Sequence, residues 1–187
     1  MQTLVSYIVS VDPKISVIPN FLSELECEFL ISKCEKIGFI PSLVGRGIEG
    51  DDSENFINVE SENRTSSSVT LSASDVVIQH IVDKLSAVAN IPISYLESLV
   101  IVKYKSGEFF KPHHDGHFRT VTVFIYLNEG LEGGETRFTH LGLQVKPALG
   151  TAVMWSNKDA RLVHEGLPPE GWTKYGVNCF FNDSPMS

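Results

Sequence analysis

From Leu99 to Phe181 the chain breaks into short runs of β-branched and aromatic residues, and this half constrains the fold most. The runs are Leu99–Tyr104, Thr120–Leu127, Glu135–Phe138, Leu143–Lys146, Thr151–Trp155, Leu162–His164 and Lys174–Phe181, divided by Gly, Pro and Asn turns. Each reads as a strand. Many short strands of this kind indicate a sandwich or jelly roll, whose open mouth between sheets can carry a ligand.

The first half reads differently. Ser23 followed by Glu26 is a capping box, and Cys27, Leu30, Ile31, Cys34 and Ile37 recur at helical spacing until Gly38. This predicts an amphipathic helix over Ser23–Ile37. A second is predicted from about Ser74 to Ala89, with Val77, Ile78, Ile81, Leu85 and Val88 on one face and Asn90 and Pro92 beyond its end. Between them the polar stretch Gly45–Ser68 reads either as a solvated loop or as a flap over a substrate groove. The expected architecture is a mainly β, α+β fold of one domain: residues 1–98 give helical support and the flap, and residues 99–187 give a double-stranded β-helix, or jelly roll.

A chain of 187 residues can bury a substantial core. Its formal charge of −8 argues against a nucleic-acid partner, which needs clustered Lys and Arg. No apolar run approaches a membrane span, and the first residues lack the basic region and apolar core of a signal peptide. Cys27 and Cys34 lie two helical turns apart, about 10 Å along the axis and too far for a disulfide. Free thiols in a reducing, cytoplasmic setting are the favoured reading, with a secreted form lacking its leader as the alternative.

The chemistry concentrates in a few residues. His113 and Asp115, in Phe-Phe-Lys-Pro-His113-His114-Asp115, are spaced to share one face of an extended strand. His164, from a distant strand, would complete two histidines and a carboxylate. That set suits non-haem Fe(II), since three protein ligands on one side leave positions open, but zinc sites use it too. Lys174 separates the two readings. A zinc hydrolase has no need of it, whereas an enzyme that chelates 2-oxoglutarate to iron needs a cation for the far carboxylate. Taken singly, His-x-Asp is common polar surface, His164 a hydrogen-bonded core residue and Lys174 a solvated lysine; their order and spacing carry the signal.

That order resembles the prolyl 4-hydroxylases of the 2-oxoglutarate- and Fe(II)-dependent dioxygenase superfamily. The matching text runs from Val102-Lys-Tyr104 through Pro112-His113-His-Asp115, Tyr126-Leu127-Asn128, Gly133-Gly134-Glu135-Thr136-Arg-Phe138 and Val145-Lys-Pro147-Ala-Leu-Gly150 to His164 and Lys174. Asn20-Phe21-Leu22 and Arg64-Thr65-Ser66 also match. The resemblance implies a jelly-roll dioxygenase in which His113, Asp115 and His164 ligate Fe(II). Lys174, with Tyr104, would hold the far carboxylate of 2-oxoglutarate, O2 would take an open iron position, and ascorbate would keep the iron reduced. Thr122 is expected to face the cosubstrate pocket. Arg64, in the flap, is expected either to bind peptide or to form a structural ion pair. Phe180 stands where relatives often carry tryptophan near the substrate proline, Pro169 stands where valine is usual, and the Gly116–Arg119 segment is short. The implied partner is a proline-containing peptide or protein, for which a polyproline II segment would suit an extended groove. Alternatives are a sister dioxygenase acting on another residue, a free amino acid or a small molecule, and a non-enzymatic binding jelly roll. Glu135 is expected to be part of the fold, and His114 and His117 to flank the ligands.

Overall fold

The computed structural model describes residues 5–47, 56–72 and 75–186. In chain order the elements are β1 (Tyr7–Ser10), β2 (Ile15–Ile18), α1 (Glu24–Ile37), β3 (Ile40–Pro41), β4 (Val44–Gly47), β5 (Phe56–Val59), β6 (Ser67–Leu71) and α2 (Val76–Ala89). There follow β7 (Leu99–Tyr104), β8 (Phe110–His113), β9 (Arg119–Tyr126), β10 (Thr136–Phe138), β11 (Leu143–Val145), β12 (Ala152–Ser156), β13 (His164–Gly166) and β14 (Lys174–Asn182).

Both predicted helices form, for the reasons their ends suggest. The Ser23 hydroxyl accepts from the Glu26 amide at 3.3 Å, and the Glu26 carboxylate accepts from the Ser23 amide at 2.7 Å. Two of the amides orphaned at the start of α1 are thereby satisfied. Asp75 caps α2 by accepting from the Val77 amide, and Asn90 ends it in the left-handed conformation. Ser74, the expected start, lies outside the described residues.

The strands form two facing sheets and a small hairpin. The large antiparallel sheet has the order β1-β2-β12-β9-β14-β7-β6-β3, and the smaller one β11-β10-β13-β8. Alternation along the large sheet divides its side chains between two apolar layers. Leu99, Ile101, Val123, Ile125, Val177 and Cys179 pack with Leu30, Cys34, Ile78, Ile81 and Leu85 of the helices. Val102, Tyr104, Phe124, Tyr126, Val153 and Trp155 face inward with Phe138 of the small sheet. This is the double-stranded β-helix with two supporting helices.

Three expectations change. The segment before Leu99 is not only helical: β1, β2, β3 and β6 all belong to the large sheet. The stretch Gly45–Ser68 is not simply a loop, because Val44–Gly47 pairs with Phe56–Val59 and Ser67 opens β6; residues 48–55 lie outside the described residues. The strand expected to carry both His113 and Asp115 is β8, which ends at His113 and leaves Asp115 beyond it; its bounds could not be read, because Phe110-Lys111-Pro112-His113 has no β-branched residue and contains a proline.

Candidate active site

Strand β8 ends on His113, β13 begins on His164, and the two are cross-strand partners with ring centroids 4.4 Å apart. Asp115 follows two residues after His113. The ligand atoms of the three side chains all lie within 4.8 Å of one another. His113 Nε2 is 3.7 Å from one Asp115 oxygen, and His164 Nε2 is 3.5 Å from the other. Each imidazole is also tied by Nδ1 to a carbonyl two residues earlier, His113 to Lys111 at 2.8 Å and His164 to Leu162 at 2.9 Å. A carbonyl can only accept, so both Nδ1 atoms carry a hydrogen, and the Nε2 atom of each ring is the one on the Asp115 side.

The electrostatics suit a cation. Burial, helped by the facing His164, lowers the His113 pKa to about 3, so that ring is a neutral donor at ordinary pH. Burial alone would raise the Asp115 pKa, but His164, His113, Arg119 and the Thr122 hydroxyl together hold it below the usual value. Two imidazoles and an ionised carboxylate on one side of a site match a divalent metal with open positions.

The surroundings fix that set. Thr122 Oγ1 donates to Asp115 Oδ2 at 2.8 Å, and Asn157 Nδ2 donates to Thr122 Oγ1 at 2.8 Å. Thr122 was expected at the cosubstrate; its hydroxyl is instead committed to the carboxylate. Arg119 donates to the Asp115 carbonyl at 3.1 Å while its fork grips Glu97 at 2.7 and 2.9 Å.

Lys174 lies on the inner face of the large sheet, directly across from Tyr104. It is 2% exposed. Its ammonium donates to the Gly134 carbonyl at 2.6 Å and sits 5.1–5.3 Å from the ring centroids of Phe124, Tyr126 and Tyr104. Among the described residues no carboxylate pairs with it. Burial lowers its pKa to about 7, and the pull of Glu135 does not offset this. Three ring faces hold the cation, and an anion is the partner it lacks. The far carboxylate of a keto diacid fits that need. Gly176 makes the cage possible, since a Cβ there would lie 2.3 Å from the Phe124 ring.

Other predicted residues sit around the ligands. The Arg64 guanidinium lies 4.7 Å from the Phe110 ring centroid, and Phe110 stacks on His113 at 3.5 Å. Arg64 also donates to Ser66 Oγ and to the Leu43 carbonyl, which holds it over strand β8. Phe180, 9% exposed, carries the Arg119 guanidinium on its face at 3.7 Å. The His114 and His117 rings contact each other at 4.5 Å, beside the ligand set.

The sequence reading missed Asn157, Arg119, Phe110, Phe124, Tyr126 and the Gly134 carbonyl. A signal for two of them was present. On β9, Thr122, Phe124 and Tyr126 share one face with period two, so once Thr122 is placed inward the two rings follow. The long-range contacts of Asn157 and Arg119 have no local signature.

Comparison with known proteins agrees with this geometry. Residues 99–182 match the family described as the 2OG-Fe(II) oxygenase superfamily. Prolyl 4-hydroxylase 1 of Arabidopsis thaliana is 30% identical over 201 residues, covering 89% of this chain and 69% of the relative. Probable prolyl 4-hydroxylase 8 of the same plant is 32% identical, covering 94% of this chain and 70% of the relative. The chain spans 66% and 58% of the probable prolyl 4-hydroxylases 3 and 11. Among solved structures, the viral collagen prolyl hydroxylase of Paramecium Bursaria Chlorella virus-1, in complex with 2OG, superposes with a TM-score of 0.70 at 25% identity, over 89% of this chain and 94% of that one. A Pseudomonas putida prolyl-4-hydroxylase shares the fold, with a TM-score of 0.67 at 19% identity over 91% of this chain and 92% of that one. With relatives of this identity aligned along most of its length, the chain belongs to the prolyl 4-hydroxylase family of the 2-oxoglutarate- and Fe(II)-dependent oxygenase superfamily.

Proposed function

We propose that this chain hydroxylates prolyl residues in a peptide or protein, consuming 2-oxoglutarate and O2 and releasing succinate and CO2. One oxygen atom enters the substrate C–H bond as hydroxyl, and the other enters succinate as the keto acid is decarboxylated. Fe(II), when bound, supplies the oxygen activation that couples these two events. His113, Asp115 and His164 hold it, with Thr122 and Asn157 fixing the carboxylate. Lys174, ringed by Tyr104, Phe124 and Tyr126, takes the far carboxylate of the cosubstrate and keeps water from it. Arg64, Phe110 and Phe180 border the place where peptide lies. Ascorbate is the reductant that sustains turnover. The single observation that carries the reading is the buried, anion-less Lys174 on the inner wall that also carries Thr122, the partner of Asp115. The cysteines, all buried and free, fit a reducing compartment such as the cytoplasm.

The test is succinate formation from 2-oxoglutarate with Fe(II), ascorbate and air, with and without a proline-rich peptide. Peptide-dependent succinate and a peptide one oxygen heavier on proline are expected. Succinate without peptide oxidation would overturn the prolyl substrate and leave the dioxygenase. His164→Ala should abolish turnover in a folded protein, and retained turnover would overturn the ligand set.

A further inference from the structure

Trp155 packs against His164, one of the metal ligands. On the inner face of the large sheet it pairs across strands with Thr122, which in turn pairs with Phe180. Thr122 holds Asp115, and the Trp155 ring centroid is 4.8 Å from that of His164. The side chain is 3% exposed. Its indole Nε1 is buried and has no hydrogen-bond partner among the described residues. A buried N–H left unpaired costs about 1–3 kcal/mol, so such groups call for an explanation. Along β9 the inward residues are Thr122, Phe124 and Tyr126, each roughly 7 Å from the next. Lys174 sits over the last two, at the far end of this wall from Trp155. An elongated dianion anchored at one end by Lys174 and at the other by the metal would bring its keto-acid end to the Trp155 side.

We propose that the Trp155 indole N–H donates a hydrogen bond to the keto-acid end of 2-oxoglutarate, so that the cosubstrate is gripped by the chain at both ends. The inference rests on the dioxygenase reading. It makes Trp155 a cosubstrate-binding residue, with a role separate from that of Lys174. The bond is charge-assisted and forms only when the cosubstrate arrives, which accounts for an N–H left without a partner among the side chains around it.

The test is calorimetric binding of 2-oxoglutarate to protein loaded with Mn(II) in place of Fe(II), which removes turnover from the readout. Two forms are compared with the native chain: Trp155→Phe, and protein carrying benzothienylalanine at 155. The second keeps the bicyclic shape and lacks the N–H, so it separates the hydrogen bond from packing. Both should bind 2-oxoglutarate roughly tenfold or more weakly, with Mn(II) affinity unchanged in the absence of cosubstrate. In a Trp172→Phe background, 2-oxoglutarate should also change the fluorescence of the remaining Trp155. Native-like 2-oxoglutarate affinity in the benzothienylalanine protein would overturn the proposal and leave the N–H facing the rings of Phe138 and His164. Weaker Mn(II) binding without cosubstrate would also overturn it, by showing that Trp155 acts through His164. Failure of the native, Mn(II)-loaded chain to bind 2-oxoglutarate would sink the dioxygenase reading itself, an outcome distinct from the other two.

Discussion

At the residue scale, the balance of charges at Lys174 has measurable effects. Its pKa is about 7, against an ordinary 10.5. Between those values the unfolded chain carries a proton here that the folded one lacks. The contribution of this group to stability therefore rises with pH across that window, and the burial penalty is fully present below about pH 7. Lys174→Met should raise the melting temperature of the empty protein by roughly 2 °C or more at about pH 6, while removing 2-oxoglutarate binding. In the proposed role the cosubstrate pairs with the ammonium form, so binding at about pH 8 should take up close to one proton. Calorimetry in buffers of differing ionisation heat reads that uptake, and a buffer-independent heat at that pH would contradict it. Thr122→Val tests a different contact. It keeps the shape of the side chain and removes the hydroxyl that donates to Asp115. Metal affinity should fall about tenfold in a folded protein, as measured by Mn(II) titration, since groups behind a ligand commonly contribute that much.

At the scale of elements, the facing rows of β9 and β14 decide the shape of the interior. Gly176 stands opposite Tyr126, and its missing side chain is the space the Phe124 ring fills. Gly176→Ala should cost about 1–3 kcal/mol in denaturant unfolding and push the ring toward Lys174, weakening 2-oxoglutarate binding as well. This position illustrates what a sequence can and cannot reveal. Strands β7, β9 and β14 were legible because each is long enough for apolar residues to declare the strand against its turns. The helices were legible from their caps, Ser23 with Glu26 at one and Asn90 at the other. The bounds of strand β8 were not, because its residues serve the site: Phe110 stacks on His113, and Pro112 gives up a ladder donor. The clustering of His113, Asp115 and His164 was readable from spacing and order, and Lys174 was singled out by its place after His164. Thr122 was read as inward, but its partner could not be, since only the closure of one sheet over the other brings it to Asp115.

At the scale of the whole molecule, the chemistry is divided between two layers. His113 and His164 hang from the small sheet, while Thr122, Trp155 and Lys174 rise from the large one. The large sheet is itself completed by the first half of the chain. Strand β2 flanks β12, and β6 flanks β7, so residues before 99 clasp both sides of the segment that carries the ligands. A fragment of residues 99–187 should therefore lack a cooperative unfolding transition, as judged by near-ultraviolet dichroism during a denaturant titration. A sigmoidal transition like that of the full chain would contradict this. The fork between Arg119 and Glu97 extends the same dependence to a single side chain. Glu97 lies just ahead of the segment that matches the superfamily, yet it steadies the guanidinium that faces Phe180 and holds the Asp115 carbonyl. A mutant library built to retune the proposed peptide preference by randomising only Arg64, Phe110 and Phe180 would therefore omit Glu97, which steadies Arg119 from behind, and Glu97 belongs in it.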